Sequence, residues 1–215
     1  MTLDSFLIRK VLVIAPLRVA RDTWPAEIEK WDHLCGLTYT VAIGSEVQRK
    51  AALLQRAQVY LINRENVDWL VNKSDLPFDY DMVVIDELSS FKAYSSKRFR
   101  ALRKVRPNVK RMVGLTGTPS SNGLMDLWAE IGILDMGRRL GRYITHFRSS
   151  FFVPDKRNQQ MVFSYKPKPG AEDEIYRLIS DITISMKNTV AAMANDVPRS
   201  GCSIISPHTN TMSNI

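Results

Sequence analysis

Two short stretches carry side chains that could do chemistry. In Val83-Val84-Ile85-Asp86-Glu87-Leu88-Ser89-Ser90, an apolar run delivers two adjacent carboxylates to the point where it ends. An aspartate so placed can hold Mg2+, usually through water. A glutamate beside it can orient and deprotonate the water that attacks a terminal phosphate. The plainer use of the pair is as a negative cap on the next helix. In Gly114-Leu115-Thr116-Gly117-Thr118-Pro119, two hydroxyls flank a glycine ahead of a proline. Such a loop suits phosphate sensing or coupling between sites, because hydroxyls both donate and accept and change partners cheaply. It also serves as an ordinary strand-to-helix turn.

Both stretches need rigid elements behind them. Val11–Ala15 is continuously apolar, as a strand buried on both faces should be. Thr23 reads as the N-cap of a helix with Pro25 near its first position. Residues 38–43 read as a second strand, and Ser45 with Gln48 as a capping box for a helix over 46–56. Strands follow at 59–62, 82–85 and 112–115. Between them lie a short helix at 67–71 and a basic helix from Ser95 or Ser96 to just before Pro107. Residues 124–134 have helical spacing through Leu127, Ile131 and Leu134. Alternation of this kind predicts an α/β fold: a mostly parallel sheet with helices on both faces. After Gly141 the pattern becomes a small α+β extension. It holds a hairpin over 151–165, a helix over 171–180 and a strand over 182–186. Residues 200–215 are half Ser, Thr and Asn, carry no charge and show no period, so they read as disordered. The domains expected are 1–140, 141–188 and a tail, 189–215.

Composition narrows the class. The chain has 215 residues, 45% hydrophobic and 24% charged, with a formal net charge of +8. Those proportions exclude long disorder and collagen. No apolar stretch approaches the roughly 20 residues of a membrane span. Cys35 and Cys202 stand far apart and match no zinc spacing, which fits a reducing cytoplasm. The charge excess is local. From Leu88 to Met125 there are nine bases and no acid, while the rest holds 21 bases against 22 acids. That segment is either a solvated helix face or a surface for phosphates. Trp24, Trp31 and Trp128 sit beside apolar residues at helical spacing and read as core rather than as base-stacking platforms.

Taken in order, the two chemical stretches resemble motifs II and III of the superfamily-two helicases and translocases. Leu12-Val13-Ile14-Ala15-Pro16-Leu17, followed by Trp24-Pro25-Ala26-Glu27-Ile28-Glu29-Lys30-Trp31, resembles motif Ia of the Swi/Snf-type branch. Leu115-Thr116-Gly117-Thr118-Pro119, with Asn122 and Leu127-Trp128 after it, resembles that branch's motif III. The likeness is to the compact Swi/Snf-like helicases of bacteriophages and prophages, and it covers residues 10–188. It implies a RecA-like first ATPase lobe using ATP and Mg2+ on duplex DNA, in the cytoplasm of a bacterial host. Asp86 would then be the Mg2+ carboxylate and Glu87 the catalytic base. Thr116, Gly117 and Thr118 would couple nucleotide state to DNA grip. Pro16, Leu17 and Arg18 would touch the DNA backbone, as would Asn63 and Arg64. Where the family has Ala-His after Asp-Glu, this chain has Leu88-Ser89.

One part is not found. An ATPase of this class holds phosphates in a glycine-rich loop ending in Gly-Lys-Ser/Thr. None of the ten glycines here is followed by lysine. The expectation is a lobe that lacks its first strand and phosphate loop, and its second lobe, and is inactive alone. The absent strand is expected beside the one ending in Asp86, at a cost on the order of 10 kcal/mol in buried apolar surface. The alternatives are a non-catalytic DNA-binding or regulatory module, or a piece that complements a separate chain bearing the phosphate loop and second lobe.

Overall fold

The continuous apolar run Val11–Ala15 forms β1, and Leu12 to Ala15 are all buried in it. The computed structural model describes residues 8–34, 36–117, 123–155, 164–184 and, for the backbone alone, 203–205. Four more strands join β1 in parallel: β2 (Tyr39–Ala42), β3 (Val59–Asn63), β4 (Met82–Asp86) and β5 (Arg111–Thr116). Their order is β2-β3-β1-β4-β5. The registers align Val13 with Leu61 and with Val84, and Val84 with Val113. The centre of the sheet is therefore a layer of β-branched and leucine side chains.

The connecting helices are α1 (Trp24–Lys30), α2 (Glu46–Leu54), α3 (Val67–Asn72) and α4 (Lys97–Val105). Parallel crossovers are right-handed. The strand order therefore puts α1 on one face and α2, α3 and α4 on the other. Two contacts agree: α3 packs on α4, and the Arg49 guanidinium of α2 lies 4.1 Å from the Trp69 ring centre on α3. Local chemistry sets the helix starts. Ser45 and Gln48 form the expected capping box, and the Ser96 hydroxyl accepts from the Phe99 amide. Thr23 does not cap α1. The chain is already helical before it, in a π-helical turn over Val19–Thr23.

The chain divides into two compact units. The first holds the chain up to Glu87 together with Tyr94–Leu115; the second holds Leu88–Ala93 and the chain from Thr116 onward. One further expectation fails. Both flanks of β4 are filled, by β1 and by β5, so no strand is missing beside Asp86. Within the first unit β5 is an outer strand.

In the second unit, α5 (Leu127–Asp135) is buried along its whole length up to Leu134. Trp128 is core, as expected, and donates from Nε1 to the Gly141 carbonyl over 2.9 Å. Asp135 ends the helix by accepting from the amides of Gly137, Arg138 and Arg139. An unexpected helix, α6 (Ile144–Phe151), leads into the antiparallel pair β6 (Phe152–Pro154) and β7 (Tyr165–Pro167). Then come α7 (Ala171–Ile179) and β8 (Thr183–Ile184). β8 pairs antiparallel with β9 (Ser203–Ile205). That strand lies in the segment whose composition reads as disordered. The backbone pairing holds whatever the side chains, which composition does not register.

Candidate functional site

Parallel strands point their carboxyl ends the same way, and ligands of open α/β sheets bind at that edge. Here Ala15 is level with Asn63, and Ile14 is level with Ile85. The first unit thus brings together Pro16–Arg18 after β1, Asn63 and Arg64 at the end of β3, and Asp86–Glu87 at the end of β4. Asp86 stands opposite Leu115, the residue before Thr116. Thr116 itself is buried and Gly117 exposed, both in the second unit. Thr118 lies outside the described residues.

Asp86 is half-buried, and its Oδ2 accepts from Trp24 Nε1 over 2.9 Å. Trp24 is therefore not simply core. It opens α1 and reaches the end of β4, a contact between residues 62 apart in sequence. The indole takes one carboxylate oxygen and leaves Oδ1 for another ligand. Mg2+ is normally held by one or two carboxylates, with waters and substrate phosphates completing its six ligands. A single oriented Asp86 fits that use. It does not fit a metal held by protein alone. Among the described residues no group of three or more His, Cys, Asp or Glu could hold one.

Glu87 carries φ +61°. Left-handed backbone is uncommon for a residue with a β-carbon and costs roughly 1–2 kcal/mol. Strain of this kind gathers at functional sites. The pair does not cap α4, which Ser96 caps instead. Leu88 follows, where the family's Ala-His pattern has a small residue. It is 0% exposed, in a 3₁₀ turn, Leu88–Phe91, that packs against α5. The departure from Ala-His thus anchors the core of the second unit.

The expected DNA-contact residues divide. Leu17 is 47% exposed and Arg18 is exposed. The Pro16 carbonyl accepts from the Ala20 amide at 2.9 Å, fixing the start of the helical turn behind them. Asn63 is 7% exposed. Its amide nitrogen donates to Glu65 at 2.9 Å and its oxygen accepts from Asn66. It orders the 3₁₀ turn Arg64–Asn66 rather than presenting itself to a ligand. Arg64, half-buried, pairs with Glu65 at 3.0 Å. Glu65 is held below the usual carboxylate range by hydrogen bonds from Asn63, from its own backbone and from Arg64, against the opposing effect of burial. Trp31, expected in the core, is instead 47% exposed and donates to Glu27 at 2.8 Å. The sequence signal for Trp24 was weak. Of the neighbours one turn away on α1, only Ile28 is buried, which argues against a purely apolar role.

Comparison with known proteins is consistent with this geometry. The chain is 39% identical over 184 residues to "Putative protein p41" of Acyrthosiphon pisum secondary endosymbiont phage 1, covering 83% of this chain and 40% of that protein. It is 30% identical over 146 residues to the mouse protein "DNA excision repair protein ERCC-6-like", covering 64% of this chain and 11% of that one. Among solved structures, the Sulfolobus solfataricus SWI2/SNF2 ATPase core in complex with dsDNA superposes with a TM-score of 0.61 at 26% identity. The match covers 80% of this chain and 32% of that one. The chain thus spans about two fifths of the phage relative and less of the others. The model of the SNF2-related domain matches residues 5–205, beyond residue 188, where the resemblance was expected to stop. With nearly the whole chain inside that match, the protein belongs to the SNF2-related domain family.

Proposed function

We propose that this chain is first-lobe material of a Swi/Snf-type ATP-dependent DNA translocase, carrying motifs Ia, II and III. The observation that carries this reading is the Asp86 carboxylate, oriented by Trp24, at the same sheet edge as Arg18 and Arg64. Bound Mg2+ would neutralise charge developing on the phosphates. Asp86 would hold the ion through Oδ1. Glu87 would orient the attacking water and take its proton. Thr116, Gly117 and Thr118 would transmit nucleotide state to the DNA grip. Pro16, Leu17, Arg18 and Arg64 would meet the backbone of duplex DNA, the ligand of the Sulfolobus relative. Kinship with a phage protein supports work in a bacterial cytoplasm. No helix among the described residues is long and apolar enough to cross a membrane.

These 215 residues contain no Gly-Lys-Ser/Thr. The phosphate cradle must then come from residues outside them, or from a separate chain that also brings the second lobe. The 215-residue chain by itself should show no DNA-stimulated ATP hydrolysis. Activity should appear on adding a fragment with the phosphate loop and second lobe, and should vanish again with Glu87→Gln. Appreciable DNA-stimulated hydrolysis by the chain alone would overturn the claim of dependence. A second reading, a DNA-binding module that hydrolyses nothing, is favoured by the base-rich segment. It predicts salt-dependent duplex binding and no hydrolysis in any mixture.

A further inference from the structure

The run of nine bases without an acid now has a place. Five of the nine are on α4: Lys97, Arg98, Arg100, Arg103 and Lys104. Lys97, Arg100 and Lys104 recur at spacings of three and four and are all exposed. They share one helix face, with Arg100 and Lys104 about 4.5 and 10.5 Å along the axis from Lys97. The other side of the helix, Phe99, Leu102 and Val105, is buried. Like charges at these spacings repel one another. Lys97 in the first turn also opposes the helix dipole. Arg103 and Lys104 suit the last turn, but Lys97 and the repulsion along the row work against the helix, and a local rule broken in this way often marks function.

Across from that face stands the end of α3. Asp68, Asn72, Lys73, Lys97, Arg100 and Lys104 line an open cleft of about 470 Å3. Its one acid is already engaged. Asp68 accepts from the Asn72 amide at 3.0 Å and lies 3.7 Å from Lys73 Nζ. Asn72 in turn accepts from Lys104 Nζ at 3.1 Å, which holds that ammonium over the cleft. Among the described residues no carboxylate forms an ion pair with Lys97, Arg100 or Lys104. The turn Arg64–Asn66 packs on α4, so Arg64, at the carboxyl edge of the sheet, stands on an element that adjoins the helix bearing the row.

We propose that the α3–α4 cleft binds phosphates of duplex DNA and extends the backbone track from Arg64 along α4. This rests on the reading of the chain as a DNA-contacting lobe. The length of the row fits one strand. Phosphates succeed one another about every 3.4 Å along the duplex axis, so a 10 Å row spans about three.

The test is the salt dependence of duplex binding by the full 215-residue chain, read by fluorescence anisotropy. Wild type is compared with K97Q/R100Q/K104Q, with the charge-conserving K97R/R100K, and with R18Q/R64Q. Removing one cation–phosphate pair lowers the slope of log K against log salt by about 0.9. The triple variant should therefore lose roughly 2–3 in slope, and K97R/R100K should lose almost none. An unchanged slope in the triple variant, with R18Q/R64Q reduced, overturns the cleft and leaves the DNA-contacting lobe standing. No duplex binding by wild type overturns both. Should the triple variant lose its helical circular dichroism, the single variants Lys97→Gln and Arg100→Gln decide, each expected to lower the slope by about 0.9.

Discussion

In its proposed role the Asp86 carboxylate needs one oxygen left for Mg2+, and one indole engages the other. Trp24 Nε1 donates to Oδ2 at 2.9 Å, and Oδ1 takes no part in that bond. Trp24→Phe keeps the apolar contact and removes the N–H. A hydrogen bond to a partly buried carboxylate contributes about 1–2 kcal/mol, and urea denaturation should show a loss of that size. The indole N–H resonance that disappears in Trp24→Phe should shift in Asp86→Ala, while the other three tryptophan indoles stay in place. If no indole signal answers to Asp86, the bond is not formed in solution. The place of Asp86 at a strand end was legible in the sequence because a continuous apolar run stops there. The contact of Trp24 was not, because its partner is 62 residues away and only the parallel pairing of β1 with β4 brings the two near.

At the scale of elements, the starts of α2 and α4 and the strand cores were readable because they depend on neighbours in sequence. Ser45 with Gln48, Ser96 with Phe99, and the apolar run of β1 are all local patterns. Strand order is not local. The filled flanks of β4 could not be inferred from any one segment. The opposite, amino-terminal edge of the sheet is tied by Asp81. Its carboxylate accepts from the amides of Arg9 at 2.9 Å and Lys10 at 3.2 Å, and pairs with Lys110 at 2.7 Å. The Lys110 ammonium, then the Arg9 amide, hold Asp81 below the usual carboxylate range. An acid whose pKa is lowered by folding stabilises the fold above its unfolded pKa, about 3.9, and loses that contribution as pH falls through the folded value. Asp81→Asn should therefore lower Tm at neutral pH. The gap to wild type should close below about pH 4. A gap that stays constant through the acid limb would remove Asp81 from the account. The α3–α4 cleft belongs to this scale too, and it was half legible. The charge run marked α4, but Lys73 joins it only through helix packing.

For the whole molecule, the chain passes between its two units after Glu87, after Ala93 and after Leu115. Neither unit is a contiguous segment, so the domains could not be found by looking for a linker. Each unit has its own fastening. In the second, Arg139 bridges Asp135 at 3.2 Å and Asp181 at 2.5 Å, and Gly137 turns at φ +80°. A β-carbon on Gly137 would meet the Gly141 carbonyl at 2.8 Å and the Arg142 α-carbon at 2.9 Å, both backbone atoms. Gly137→Ala should cost at least about 1–2 kcal/mol through backbone conformation alone. Hydrogen exchange should locate that loss. Amides of α5 and α7 should lose protection first, while those of β1 and β4 keep theirs. Uniform loss across both would mean that the units unfold as one.

The π-helical turn over Val19–Thr23 sets the phase of everything after it. An α-helix advances about 100° per residue. Removing one residue from this turn would leave every side chain at the carboxyl edge chemically intact, yet it would swing Trp24 about a quarter-turn away from Asp86. The spacing between Pro16 and Trp24 is therefore a gauge, and loop length there is as constrained as residue identity. A relative with one residue more or fewer in that interval must hold its motif II carboxylate by some other means.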